Sequence, residues 1–256
     1  MTNIKNFFGD CLAMLGRCLK LNFRNIESVV TTIMLPAIML VMFVNLFGGA
    51  LNVGDISYIN YVVPGIIVLT IGQTASSTAV SVNNDVSKGV VDRFLSMPTS
   101  RTAFLIGHVL ASLVRNIIAT SIIIGLAFVM GFRPEAGFGS WVVVLVLLVA
   151  FMLVMTWLSV FVGLSVKTPE GAGVGLIAAM LLPYISSGFV PTDTMPTVLR
   201  VIAERQPMTP IIDTLRSLFL FGQVGNQIWV AAAWVVILVI VGYAASILMF
   251  RRRVTK

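Results

Sequence analysis

The chain has 256 residues, of which 58% are hydrophobic and only 11% charged, and a net charge of +7. Soluble domains are about a quarter charged, so a water-soluble globule could not hide this much apolar surface. The apolar runs are long and lack period-two alternation, which excludes an outer-membrane barrel and points to helices crossing a bilayer.

Residues 4 to 26 come first. Ile4, Phe7, Phe8, Cys11, Leu12, Leu15, Cys18 and Leu19 recur at three- and four-residue steps, with Lys5, Asp10, Arg17, Lys20 and Arg24 largely on other faces. The pattern suits a helix lying in the membrane interface; a cytosolic helix packed on protein is the alternative. The same charges interrupt every apolar run here, so no cleavable signal peptide is predicted. Cys11 and Cys18 stand about 10 Å apart along such a helix, too far for a disulfide, and read as apolar filler.

Six spans of near the length a bilayer needs follow. They run from about Val29 to Phe47, Tyr58 to Val82, Leu110 to Gly131, Trp141 to Val166, Gly171 to Val190 and Ile228 to Phe250. Pro36, Pro64 and Pro183 fall inside the first, second and fifth. The N-terminus, the 83–103 loop, the 167–170 turn and the C-terminus are placed on one side, with 12 of the 17 Lys and Arg residues. The other side holds Arg133, Arg200, Arg205 and Arg216, and Arg115 lies within the third span. The basic side is cytoplasmic and carries both termini. Arg115 reads as a snorkelling residue near the cytoplasmic end of its helix, with a substrate or ion-pair role as the alternative. Residues 191–226 hold Pro191, Pro196, Pro207, Pro210 and two short apolar-periodic stretches, around Val198–Ile202 and Ile211–Phe219. Neither spans a bilayer; both suit short helices at, or re-entering, the outer interface.

The chain has no G-x-x-x-x-G-K-[ST] loop for nucleotide, and His108 is its only histidine, so neither a multi-histidine zinc site nor any cofactor site is predicted. Nothing pairs a nucleophile with a base, and no catalytic residue is predicted. Scarce membrane carboxylates argue against a proton-driven carrier, although sodium-coupled carriers can use carbonyls. The most informative connection is Asn83 to Arg101. Asn84 or Asp85 can cap a short helix that Pro98 ends, with Val86, Val90, Phe94 and Met97 as its apolar stripe. Such a helix suits docking in a groove on a soluble partner or resting on the bilayer.

Residues 88–101, KGVVDRFLSMPTSR, resemble the cytoplasmic loop K-G-T-x-x-x-L-x-x-x-P-x-x-R of the type-2 ABC transporter permeases, whose familiar drug exporters are the daunorubicin-resistance permeases. Ser186 to Pro191, Met195-Pro196, Leu199-Arg200, Pro207 to Pro210 and Asp213 to Arg216 resemble that family's extracellular S-G-x-x-x-P … M-P … P-x-T-x … D-x-x-R stretch. Val90 stands where the loop often has Thr, and Ser87 where an acid often precedes the lysine.

The resemblance implies an all-α integral membrane fold. Residues 1–27 would form the interfacial amphipathic helix. Residues 28–256 would form a six-helix transmembrane domain, with a cytoplasmic coupling loop at 83–103 and a re-entrant extracellular hairpin at 191–226 before the last span. It also implies partners: two separate ATPase subunits, which bind ATP and Mg, and a second permease copy or homologue. The coupling residues it implies are Lys88, Gly89, Asp92, Arg93, Phe94, Pro98 and Arg101, with Glu27 before the first span. Gate candidates outside are Gly188, Pro191, Pro196, Pro207, Pro210, Asp213 and Arg216. The expected function is export of a hydrophobic or amphipathic, drug-like substrate across a bacterial plasma membrane. Lipid or lipid-linked polysaccharide export is the alternative within the family. An ion-coupled carrier or a membrane enzyme is the alternative outside it.

Overall fold

The computed structural model describes residues 4–24, 26–49, 53, 56–91 and 101–254, and every regular element among them is helical. Among the described residues, four helices are long and apolar enough to cross a bilayer: α3 (Tyr58–Ser87), α4 (Arg101–Val129), α5 (Phe138–Ser165) and α10 (Gln227–Val254). α1 (Ile4–Arg24) and α2 (Ile26–Met42) precede them. Two shorter apolar stretches, Thr32–Phe47 and Pro169–Ile185, occupy the places expected for the first and fifth spans.

α3 is the hub. It packs against α2, α4 and α5, and its side chains from Tyr58 to Leu69 are almost all buried. Two glycines let backbones come close to it. A Cβ on Gly163 of α5 would stand 2.5 Å from the Ala79 carbonyl oxygen, and Gly65 abuts Gly188. The expected third span at Leu110 begins earlier, at Arg101, because Ala103, Phe104 and Leu105 are buried and hold the extra turns.

The fifth apolar segment is not one continuous helix. Thr168 caps α6 (Pro169–Val174) by accepting from the Gly171 N–H, and Pro169 supplies the fixed first-turn φ. The helix breaks at Gly175-Leu176 and resumes as α7 (Ile177–Leu181), then tightens into a 3-10 turn, Leu182–Ile185. Ser186 is extended and ends the 3-10 helix, and residues 186–190 form a turn. Gln206 donates to the Leu182 and Ile185 carbonyls at 2.9 and 2.6 Å, satisfying acceptors the interrupted helix leaves bare.

The hairpin is α8 (Thr197–Arg205) and α9 (Met208–Phe221). α8 keeps Val198, Leu199, Val201 and Ile202 exposed. α9 is buried from Met208 to Ile212 and again at Leu218–Leu220, packed on α3, α5 and α10, so its backbone is covered by protein. α1 combines the two readings of its sequence. Cys11, Met14 and Cys18 are buried against protein, whereas Phe8 and Leu12 are each 69% exposed, with Lys20 and Arg24 also outside. Burial raises the Cys11 thiol, and both cysteines are free.

Candidate functional site

The 83–103 connection leaves α3 through a sharp reversal. Lys88 and Gly89 donate their N–H groups to the Asn84 and Val86 carbonyls at 3.0 and 3.1 Å, and Gly89 has φ +66. That left-handed conformation is open to glycine at little steric cost. Helical geometry resumes at Val90 and Val91. A helix starting with an Asn84 or Asp85 cap is therefore not what forms, because α3 runs through both residues to Ser87. Lys88 is exposed at the turn. Asp92, Arg93, Phe94 and Pro98 lie outside the described residues. Arg101 opens α4 and Glu27 lies in the first turn of α2, with side chains likewise outside the description.

Just before the turn, Asp85 is drawn back into the protein. Arg17 of α1 clamps it with two hydrogen bonds, Nη1 to Oδ2 at 2.6 Å and Nη2 to Oδ1 at 2.9 Å. His108 of α4 places Nε2 3.1 Å from Oδ2. The hydrogen bonds to Asp85 raise the Arg17 guanidinium above its ordinary value, so Arg17 stays charged. A planar fork matched to a carboxylate fixes orientation as well as distance. Beneath it, Met14, Cys18, Val91, Phe104 and Leu105 pack in one apolar cluster, and a Cβ on Gly107 would overlap Met14. Phe104 meets His108 edge-on at 4.8 Å and stacks with Phe250 of α10 at 5.9 Å. The turn is thus tied to α1, α3, α4 and α10.

Sequence reasoning missed Arg17, Asp85 and His108 as a group. The available signal was ionisable residues in largely apolar stretches; their pairing spans 68 and 23 positions in sequence.

Arg115 does not snorkel along its helix. Its Nη2 turns inward to α3, donating to Thr78 Oγ1 at 2.6 Å and to the Thr74 carbonyl at 3.3 Å. Thr78 in turn donates to Ser112, which lies 3.0 Å from Thr156 of α5. A polar seam therefore joins three helices in their apolar portions.

At the opposite end, three of the gate candidates come together. Arg216 donates to Asp213 Oδ1 at 2.7 Å, to the Ser187 carbonyl at 2.5 Å and to the Tyr61 carbonyl at 3.2 Å. Its guanidinium lies 3.8 Å over the Tyr61 ring, a favourable cation–π position. Ser187 donates to Asp213 at 2.6 Å, and Gly188 sits beside Gly65. Pro191 and Pro196 instead precede a 3-10 turn and α8, Pro207 precedes α9, and Pro210 is buried in the first turn of α9. These four prolines shape helix starts and do not converge on the cluster. No group of three or more His, Cys, Asp and Glu able to hold a metal occurs among the described residues.

The profile of the ABC-2 type transporter family matches residues 10–220. The chain is 30% identical over 192 residues to a daunorubicin resistance ABC transporter permease protein of Streptomyces coeruleorubidus, covering 75% of this chain and 68% of the relative. It is 26% identical over 240 residues to a probable doxorubicin resistance ABC transporter permease protein of Mycobacterium tuberculosis, covering 90% of this chain and 86% of the relative.

Proposed function

Because the chain belongs to the ABC-2 type transporter family, we propose that it is the membrane permease subunit of a bacterial exporter powered by two separate ATPase subunits. Two copies, or this chain and a homologue, enclose the pathway. The ATP and Mg reside in the partners. Six crossings are made by the four long helices, the Thr32–Phe47 stretch and the broken Pro169–Ile185 segment. The excess of Lys and Arg on the side of the 83–103 loop supports a cytoplasmic position for that loop and both termini. The exposed Phe8 and Leu12 edge of α1 then rests in the inner interface.

The observation that carries this reading is the clamp of Arg17 and His108 on Asp85, three residues before Lys88. A push on the loop reaches α1, α3 and α4 together. ATP binding shifts the permease only as far as the ATPase holds its two states differently, and this clamp keeps the loop from moving alone. At the outer end, the Asp213–Arg216–Ser187 cluster holds the hairpin shut. The strongly apolar spans suit a hydrophobic or amphipathic cargo, and two relatives bear names of resistance to daunorubicin and doxorubicin.

Pull-down of the tagged chain from native membranes in mild detergent tests the assignment. Recovery of a near-equimolar soluble protein with a phosphate-binding glycine loop is expected. The variant carrying Lys88→Glu and Arg93→Glu is expected to insert normally and lose ATP-driven transport. Undiminished transport by that variant would remove the loop from the coupling role.

A further inference from the structure

Among the described residues, Arg115 is a cation without an anion. A guanidinium has five N–H donors and is not deprotonated in proteins. Two hydrogen bonds, both from Nη2, reach neutral acceptors. Nε is buried with no partner, and Arg115 forms no ion pair with Asp or Glu among the described residues. Its immediate surroundings repeat the pattern. Thr74 Oγ1, whose own carbonyl receives the Arg115 bond, is buried and unpartnered, as are Asn116 Oδ1 and Thr120 Oγ1 along the same face of α4. Thr74 and Asn116 are fully buried, and Thr120 is 3% exposed.

A buried charge left with neutral partners is costly, and apolar replacements of buried charges are commonly tolerated. A polar seam kept open in a bilayer is therefore a site looking for its ligand. Nη2 is anchored on α3, while Nε has no acceptor among the described residues. Both helices overrun the apolar core: Thr78 lies about 6 Å along α3 from Val82, and Arg115 about 8 Å along α4 from Leu110, the expected inner ends of their spans. This depth lies in the inner half of a bilayer whose apolar core is about 30 Å thick. Beside Arg115, Ile118 is exposed, so the flank of α4 next to the guanidinium is open to the acyl region.

We propose that Arg115, with the Thr74 hydroxyl, receives the acidic group of an amphiphile entering from the inner leaflet: a phosphate or carboxylate whose chain lies along the exposed flank of α4. The acidic group supplies the counter-charge that the protein withholds. The proposal uses the membrane placement of α4 and owes nothing to ATP coupling, so its test needs no ATPase partner.

The full-length protein in detergent is titrated with phosphatidylglycerol, phosphatidylcholine or sodium oleate, and followed by native mass spectrometry and thermal unfolding. Wild type is expected to retain phosphatidylglycerol or oleate about tenfold over phosphatidylcholine, as a charge-assisted pair requires, and to unfold at a higher temperature with the retained ligand. Arg115→Met is expected to lose both the preference and the thermal gain. Retention of phosphatidylglycerol assigns the site to a membrane lipid; retention of oleate alone assigns it to a free carboxylate amphiphile. Absence of any anionic preference in wild type overturns the proposal whether or not the variant folds. Equal retention and equal thermal gain in Arg115→Met overturn it too, leaving internal water as the partner of the free N–H groups.

Discussion

Gly65 and Gly188 meet backbone against backbone: a Cβ on Gly65 would stand 2.6 Å from the Gly188 carbonyl oxygen and 2.8 Å from its Cα. Neither atom can swing aside as a side chain would. Gly65→Ala is expected to push the 186–190 turn off α3 and cost about 1–3 kcal/mol, as overpacking does. Gly72→Ala on the same helix meets only the Met155 methyl at 3.6 Å, and removing a helical glycine gains up to about 1 kcal/mol. Unfolding midpoints in detergent should therefore move in opposite directions for the two variants; a parallel shift would contradict the close approach.

The Arg17–Asp85 clamp predicts non-additivity. Arg17 is 30% exposed in its side chain and Asp85 11%, so each single loss, Arg17→Ala or Asp85→Asn, is expected to cost about 1–3 kcal/mol, between exposed and buried ion pairs. The double variant should cost less than the sum, with a coupling of at least about 0.5 kcal/mol. A double-mutant cycle on thermal unfolding reads this directly, and strict additivity would dissolve the clamp.

Gly89 offers a way to separate coupling from folding. Its φ of +66 costs a side-chain-bearing residue about 1–2 kcal/mol. Gly89→Ala should bend the reversal after Lys88 while leaving the helices packed. Near-normal expression with a severalfold loss of ATP-driven transport is expected; normal transport would show that the turn's shape is immaterial to coupling.

Arg216→Lys keeps the charge and loses the fork that reaches Tyr61, Asp213 and Ser187 together. The stranded acceptors cost about 1–3 kcal/mol each. The outer turn should open more often, so a cysteine introduced by Thr192→Cys should react faster with a membrane-impermeant maleimide than in the Arg216 background. Identical labelling rates would argue against a latch.

Much of the fold was legible because the bilayer writes long apolar runs into a sequence. α3, α5 and α10 fall where those runs lie, and the basic residues sort around them. The break at Gly175-Leu176 and the turn after Ile185 were harder to read. Ahead of that turn the Leu182 and Ile185 carbonyls are completed by Gln206 from beyond the hairpin's first helix, a partner with no local signature. The candidate site divides the same way. Asp213 and Arg216 are three residues apart on one helix and visible as a motif, but Ser187 and Tyr61 join them only in space. Likewise Asp85 looks like a helix cap from its neighbours, until Arg17 and His108 turn it inward.

The Ser165 end of α5 is closed by two residues that the ribosome makes far apart in time. Asn83, already synthesised, donates to the Gly163 and Val166 carbonyls at 3.0 and 2.7 Å. Arg253 of α10 donates to the Leu164 and Val166 carbonyls, both at 3.0 Å, and follows Leu164 by 89 residues. At roughly 5–20 residues per second, α5 waits about 4–18 s for its second seal. During biosynthesis the Leu164 carbonyl is open until the last helix threads into place, so a nascent chain stalled before Arg253 presents a half-closed helix end to membrane quality control.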